Sequence, residues 1–301
     1  MGVANQGAGE QGEQDGLPAE LSDELPTLAV VAETGSTNDD VMALGRSGAP
    51  AGTAVAAHEQ TLGRGRRGHI WGSPEGGLYL SVLLRPHVPM HYLMGLSAVC
   101  ALGALDALGS LGATKAALKW PNDVVVPEEG GLPGAARKLA GILVEAGTGE
   151  AGVFAVCGIG VNLVAPTLDM GSMGSPRPLA AAGLAEAMGV GPDGTELPVP
   201  GFEELARSLR DAIVARVDAW DEVVAAGRGA AGPLAPVLSE YFDRVPLLGH
   251  EAEAVLPDGR VCARGAFCGL DVWGRATLRL ADGRELEFAS EQASLRAPEA
   301  R

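Results

Sequence analysis

The sequence predicts an α+β fold: a mixed sheet with flanking helices, followed by a small C-terminal β unit. Three observations carry this. Strand-like segments recur through the first half, LAVVAE, TAVAAHEQ, LYLSVLLRP, LAGILVEA and AVCGIGVNL, rich in β-compatible residues and bounded by turn residues. Two other stretches read as helices, one apolar nearly all round and one with apolar residues at helical spacing. After Val245 only short strands with tight-turn signals follow.

In chain order, residues 1–26 are rich in Gly, Glu and Gln with few large apolar groups, so ordering them would cost more conformational entropy than burial returns. A disordered tail is expected there. LAVVAE, from Leu28, opens the first strand, and Ser36, Thr37 and Asn38 stand where helix caps belong, before Asp39 and Asp40. Thr53–Gln60 and Leu78–Pro86 are the next strands, with a Gly/Arg-rich loop between them. Tyr92–Leu111 suits a helix buried in the core. KWPNDVVV and LAGILVEA read as neighbouring strands joined through Pro127–Arg137, and AVCGIGVNL as another. Pro166–Pro178 has the composition of a mobile loop.

Phe202, Leu205, Leu209, Ile213, Val217, Trp220 and Val224 mark one face of a long helix, with Glu203 and Glu204 favoured in its first turn by the helix dipole. It closes a main domain expected at residues 27–244. Asp258-Gly259 and Asp282-Gly283 then signal hairpins in a second unit, residues 245–297.

The 301 residues are 47% hydrophobic and 20% charged, ordinary for a packed chain of this length. The net charge of -16 opposes binding to DNA or to anionic membrane, and an anionic substrate must find a local exception to it. Cys100, Cys157, Cys262 and Cys268 have no metal-site spacing and read as reduced thiols. The N-terminus lacks a secretory pattern, and the apolar stretch Tyr92–Leu105 is shorter than the ~20 residues that span a bilayer. The expectation is a cytoplasmic protein.

Chemistry concentrates in a few segments. GRGRRG, Gly63–Gly68, sets Arg64, Arg66 and Arg67 among glycines. It matches GxGxxG formally, but HIWGSPEGG continues it as loop where a dinucleotide fingerprint must open a helix. A flexible clamp over phosphate fits it, with a solvated basic turn as the competing reading. In KWPND, Lys119 stands at the end of a strand, and Pro121 biases Trp120 towards an extended backbone and so fixes where Lys119 points, a compact charge suited to phosphate or carboxylate, or to plain solvent. Gly141 inside LAGILVE marks a bulge, a close approach of ligand, or packing alone. Gly158 and Gly160 before Asn162 allow a ligand to approach backbone, or form a strand-end turn. Ser36, Thr37 and Asn38 taken alone are helix caps. HExxH, paired CxxC, GxSxG and P-loop patterns do not occur, and no protein metal ligands are expected.

STN, EQxxGRGRRGxxW, KWPND, KLAGILVE and GIGVN in this order resemble the motif series of biotin protein ligases, of the type without an N-terminal DNA-binding domain. The resemblance runs from about Val30 to Val224, and loosely to SLR at Ser294–Arg296. It implies a catalytic domain like that of class II aminoacyl-tRNA synthetases plus an SH3-like C-terminal domain. It further implies that ATP, with Mg²⁺, activates biotin as biotinyl-5'-AMP and that biotin passes to a lysine of a biotin carboxyl carrier protein or domain.

By motif match, Ser36, Thr37 and Asn38 would line the biotin pocket, and Gln60, Arg64, Gly65 and Arg66 would belong to the ligand-ordered loop. Lys119 would contact the biotin carboxylate and the α-phosphate, acting with Arg66 as catalytic group. Arg64, Arg66, Trp71, Lys119 and Asn162 would face the nucleotide, Trp71 near the adenine and Asn162 near ribose or phosphate. The loop departs from the family pattern at His69 and Ile70, where arginine or lysine often stands. A lipoate or octanoate ligase is the rival on the same fold. A DNA-binding repressor is the rival of another class, and residues 1–27 are too few and too polar for its extra domain.

Overall fold

A computed structural model describes residues 25–68, 71–166 and 179–298. Most of the expected tail, His69 and Ile70, and most of the expected loop Pro166–Pro178 lie outside the described residues.

The chain forms β1 (Leu28–Thr34), α1 (Thr37–Arg46), β2 (Ala54–Gln60), β3 (Gly77–Leu84), α2 (Leu96–Ser110), β4 (Ala117–Lys119), β5 (Asp123–Pro127), β6 (Ala136–Gly149), β7 (Gly152–Asn162), α3 (Leu184–Ala187), α4 (Phe202–Val223) and α5 (Leu238–Asp243). The C-terminal strands are β8 (Glu251–Val255), β9 (Val261–Leu270), β10 (Ala276–Arg279), β11 (Glu285–Phe288) and β12 (Ser294–Arg296).

Seven strands make one sheet in the order β1-β2-β3-β7-β6-β5-β4. Among the described residues only β1 and β2 pair in parallel in it, bridged by α1, and its other pairs are antiparallel. The other five strands make a separate antiparallel sheet, β11-β10-β9-β8-β12. The α+β architecture, with its mixed sheet, flanking helices and C-terminal β unit, is therefore as the sequence predicts.

β3 explains how the sheet carries a site. Its residues are buried on both faces, but Leu78, Leu80, Val82 and Leu84 enter the main core while Leu83 joins Val41, Met42, Val55, Phe154 and Val156 beneath α1. Tyr79 and Ser81 share that second face, so polar groups occur only where α1 begins. The main core takes α2 and the apolar stripe of α4, Leu205, Leu209, Ile213, Val217 and Trp220. Glu204 accepts a hydrogen bond from the Gly201 amide (3.4 Å) at the start of α4.

Two expectations need correction. KWPNDVVV is not one strand: β4 ends at Lys119, as expected for that lysine, residues 120–122 turn, and β5 starts at Asp123, so that Lys119 and Asp123 face each other as register partners. The helix expected over Tyr92–Leu111 is present, but its apolar run is longer than Tyr92–Leu105, the stretch expected to be too short for a bilayer. A 3₁₀ turn, Met90–Gly95, leads into α2, and the combined run Met90–Ser110 is long and apolar enough to cross a membrane by length and composition. In the fold it packs against α4 and the sheet, with Leu96, Val99, Leu102 and Leu108 fully buried, which accounts for its composition.

Candidate active site

A cavity opens on the α1 face of the sheet, lined by the N-terminus of α1, the loop after β2, the glycines of β6 and β7, the β4–β5 turn, and Ser294 and Arg296 of β12. Among the described residues six cationic side chains line it, Arg64, Arg66, Arg67, Lys119, Lys138 and Arg296, against one carboxylate, Asp123. This is the local exception that an anionic substrate needs in so acidic a chain.

One end is neutral and finely hydrogen bonded. Ser36 occupies the N-cap position of α1, yet its side chain makes no capping bond and instead accepts from Arg64 Nη1 (3.2 Å). Thr37 and Asn38 are buried and line the cavity, so of the tripeptide only Ser36 holds a cap position, and it does so without a side-chain capping bond. The Thr37 amide, an unsatisfied donor of the first helical turn, gives its proton to Gln60 Oε1 (2.8 Å). Gln60 Nε2 donates to Ser73 Oγ (3.1 Å), and Ser81 Oγ lies 2.5 Å from Asn38 Oδ1.

The floor is glycine for a steric reason. Tyr79, Gly160 and Gly141 form one row across β3, β7 and β6, and Ser81, Gly158 and Leu143 the next. A Cβ on Gly158 would stand 2.1 Å from Asn38 Oδ1, on Gly160 2.7 Å from Trp71 Nε1, and on Gly141 2.9 Å from Trp71 Cζ3. The buried Trp71 indole lies on Gly141 and Gly160, under Lys138 Nζ at 4.7 Å from its ring centre. Its Nε1 is buried without a hydrogen-bond partner among the described residues.

The arginine loop spans the cavity. Arg64 forks onto Asp39 (2.8 Å twice) and Glu145 (2.8 Å), and these bonds, Asp39 first, raise its pKa against the cost of burial. Arg66 reaches Glu291 at 3.3 Å, and burial lowers its pKa. Arg67 adopts a left-handed backbone (φ 59°) and donates to the carbonyls of Ser290 and Ala293 (the latter 3.2 Å). The C-terminal unit thus holds the loop by the turn before β12.

At the other end Asp123 stands between two lysines, Lys119 at 3.2 Å and Lys138 at 2.6 Å. Burial alone would raise the Asp123 pKa, but Lys138 and Lys119 hold it at about 2. Burial lowers the Lys119 pKa, with Asp123 opposing and Arg296 and Lys138 adding to the shift.

Ser36, Thr37, Asn38, Gln60, Arg64, Gly65, Arg66, Trp71 and Lys119 all meet at this cavity. Asn162 does not line it. Its amide donates to the Lys138 carbonyl (3.1 Å) and pins the strand end beside that lysine. Sequence reasoning missed Lys138, Asp123, Glu145 and Arg296. A lysine immediately before the apolar run Leu139–Val144 was a usable signal for Lys138. Arg296, which comes from the other sheet, lies in the SLR segment that the resemblance reached only loosely, with no site role read for it.

The model of the biotin/lipoate A/B protein ligase family matches residues 31–162, the segment that builds the sheet and most of the cavity. The biotin--[acetyl-CoA-carboxylase] ligase of Paracoccus denitrificans is 33% identical over 266 residues, 87% of this chain and 98% of that protein. The chain belongs to the biotin protein ligase family. Its Mycobacterium tuberculosis relative, another biotin--[acetyl-CoA-carboxylase] ligase, is 33% identical over 270 residues, 83% of this chain and 85% of that one. Among solved structures, the biotin protein ligase of Aquifex aeolicus in complex with biotin and ATP superposes with a TM-score of 0.66 at 26% identity, covering 90% of this chain and 99% of that one. That match runs through both sheets, so the family fold includes the C-terminal β unit.

Proposed function

We propose that the chain activates biotin with ATP to biotinyl-5'-AMP and then transfers biotin to a lysine of a biotin carboxyl carrier protein or domain. The observation that carries this is the polarity of the cavity: a neutral donor-acceptor end at Ser36, Thr37 and Asn38, and a cationic end at Lys119 and Lys138. A molecule with a ureido ring at one end and a carboxylate at the other lies along it in one direction.

Activation brings two anions together. A carboxylate oxygen attacks the α-phosphorus, and the bond to pyrophosphate breaks. Unit like charges at about 4 Å repel by about 4 kcal/mol at an effective dielectric of about 20. Lys119, Lys138 and Arg66 offset that repulsion and stabilise charge on the phosphate, so catalysis rests on positioning and preorganised charge. Both lysines line the cavity, and Lys138, the slightly more exposed of the two, shares the role read for Lys119. Mg²⁺ would arrive on the ATP phosphates. When bound there it neutralises phosphate charge.

Transfer needs a neutral lysine amine, which attacks the anhydride carbonyl as AMP leaves and the amine sheds a proton. Arg64, Gly65, Arg66 and Trp71 shield the anhydride from water until then. Residues 27–244 would do the chemistry. Residues 245–297 would brace the loop.

The lipoate reading is the second one. A dithiolane ring has no N–H or carbonyl to meet Thr37 and Asn38, so the head end favours biotin. Incubation with biotin, Mg-ATP and a biotin carboxyl carrier domain is expected to add the mass of a biotinyl group at one carrier lysine. Pyrophosphate exchange stimulated by lipoate and not by biotin would overturn the assignment.

A further inference from the structure

Glu145 lies on β6 outside the cavity wall, yet two cavity residues end on it. Asn38 Nδ2 donates to its Oε2 (2.7 Å), and Arg64 Nη2 to the same oxygen (2.8 Å). We propose that Glu145 is a positioning residue for biotin, fixing the directions of the Asn38–Ser81–Thr37 hydrogen bonds so that Thr37 presents an acceptor to the ligand. The proposal rests on the reading of the ligand as biotin.

A count of protons fixes each direction. An ionised carboxylate only accepts, so Asn38 must turn its NH₂ to Glu145 and its Oδ1 the opposite way, towards Ser81. That oxygen also only accepts. The single Ser81 proton therefore goes to Asn38 across 2.5 Å, and the 2.8 Å contact between Ser81 and Thr37 needs the Thr37 proton. The other acceptor for that proton among the described residues is Gln60 Oε1 at 3.0 Å, inside the protein as well. In both arrangements the Thr37 hydroxyl turns lone pairs to the cavity and no proton. A ureido N–H finds its acceptor there, and a ligand offering only acceptors does not.

Arg64 adds a second role for the same carboxylate. The loop closes when the Trp71 amide bonds the Gly63 carbonyl (3.0 Å), and Glu145 with Asp39 anchors the first arginine of that loop beside Ser36. Head recognition and loop position therefore share one anion.

Biotin-dependent ATP–pyrophosphate exchange by the full chain tests this with Glu145→Gln, Ser81→Ala and the double variant. Glu145→Gln keeps shape and removes the obligate acceptor. It is expected to raise the KM for biotin about tenfold, the worth of a hydrogen bond to a charged group, with kcat and the KM for ATP changed less than about twofold. Ser81→Ala breaks the same chain in the middle and raises the biotin KM alike. The double variant is expected to be no worse than the worse single, because a broken chain cannot be broken again.

An unchanged biotin KM in Glu145→Gln, or a fall confined to kcat, would overturn the inference, as would additive effects in the double variant. Should Glu145→Gln fail to fold, Ser81→Ala decides, and an unchanged biotin KM there overturns it equally. Lack of biotin-dependent exchange by the unsubstituted protein would overturn the functional reading and this one together.

Discussion

The two ends of the cavity are built on opposite plans. At the α1 end the groups Thr37, Asn38, Gln60 and Ser81 are themselves uncharged and are committed by directional bonds to one another and to Glu145. At the β4–β5 end one carboxylate faces Lys119 and Lys138 with Arg296 close enough to shift the lysine, so cationic charge is left over. Committed bonds select a ligand by shape and donor pattern. Surplus charge in a dry site makes an anion reactive. The difference predicts that changes at the first end act on binding and changes at the second act on rate.

The sharpest way to break that division is Lys138→Ala. It is expected to cut single-turnover adenylation by about 10²- to 10³-fold, the usual effect of removing one preorganised charge donor, while biotin binding by calorimetry changes far less. Lys119→Ala is expected to fall in the same range without unfolding, since Asp123 keeps Lys138. A Lys138→Ala protein with normal adenylation and lost biotin binding would reverse the assignment of the two ends.

Asp123→Asn comes next, and it acts on stability. Removing the anion leaves the buried Lys119 and the half-buried Lys138 facing each other, at a cost of about 3 to 5 kcal/mol for breaking such a cluster. The pH dependence follows from its lowered pKa. Asp123 at about 2 lies below the ordinary 3.8, so its contribution is fully present above pH 3.8 and is lost as pH falls through about 2. Denaturant unfolding of the unsubstituted protein should therefore lose about 2 kcal/mol across that window that the variant does not lose. Parallel pH profiles for the two proteins would show that the lysines do not hold Asp123 ionised.

At the head end, Gly158→Ala inserts a methyl 2.1 Å from Asn38 Oδ1, and relief must come from shifting that side chain off Ser81 and Glu145. The expected result is biotin affinity reduced by about 1 to 3 kcal/mol with ordinary kcat at saturation, seen in the KM of pyrophosphate exchange. A loss in kcat alone would move Gly158 to the reactive end.

How much of this was legible in the sequence follows from what each end is made of. Strands such as LYLSVLLRP and the stripe of α4 are written in local periodicity, so sheet and helices follow from the order of residues alone. The hairpins at Asp258-Gly259 and Asp282-Gly283 were likewise legible, because Gly259 and Gly283 both carry a positive φ that the turn demands. Ser36, Thr37, Asn38 and Arg64 were legible only as members of an ordered motif series, since each alone fits a cap or a surface turn. Glu145 and Asp123 escaped because their roles are pairwise: an acid on a strand gains meaning only when the register sets it against Asn38 or between two lysines. Arg296 escaped because the contact joins two sheets whose relative placement no local pattern encodes.

The smallest expected effect tests the boundary between the ends, where Trp71 lies on Gly141 and Gly160. Its buried Nε1–H has no partner among the described residues, a state that costs the free protein roughly 1 to 3 kcal/mol. Trp71→Phe removes that donor but also part of a ring stacked under Lys138, and the two changes oppose each other. The melting temperature of the free protein should thus move little. An unpaired donor on a cavity floor is satisfied at the moment a ligand oxygen arrives, so the same substitution should weaken ligand binding more than it destabilises the fold. Thermal shifts measured without ligand and then with biotin and Mg-ATP separate the two terms. Equal losses in both states would make Trp71 a packing residue, whereas a loss only with ligand makes its indole N–H the point where the selecting end hands the substrate to the reactive one.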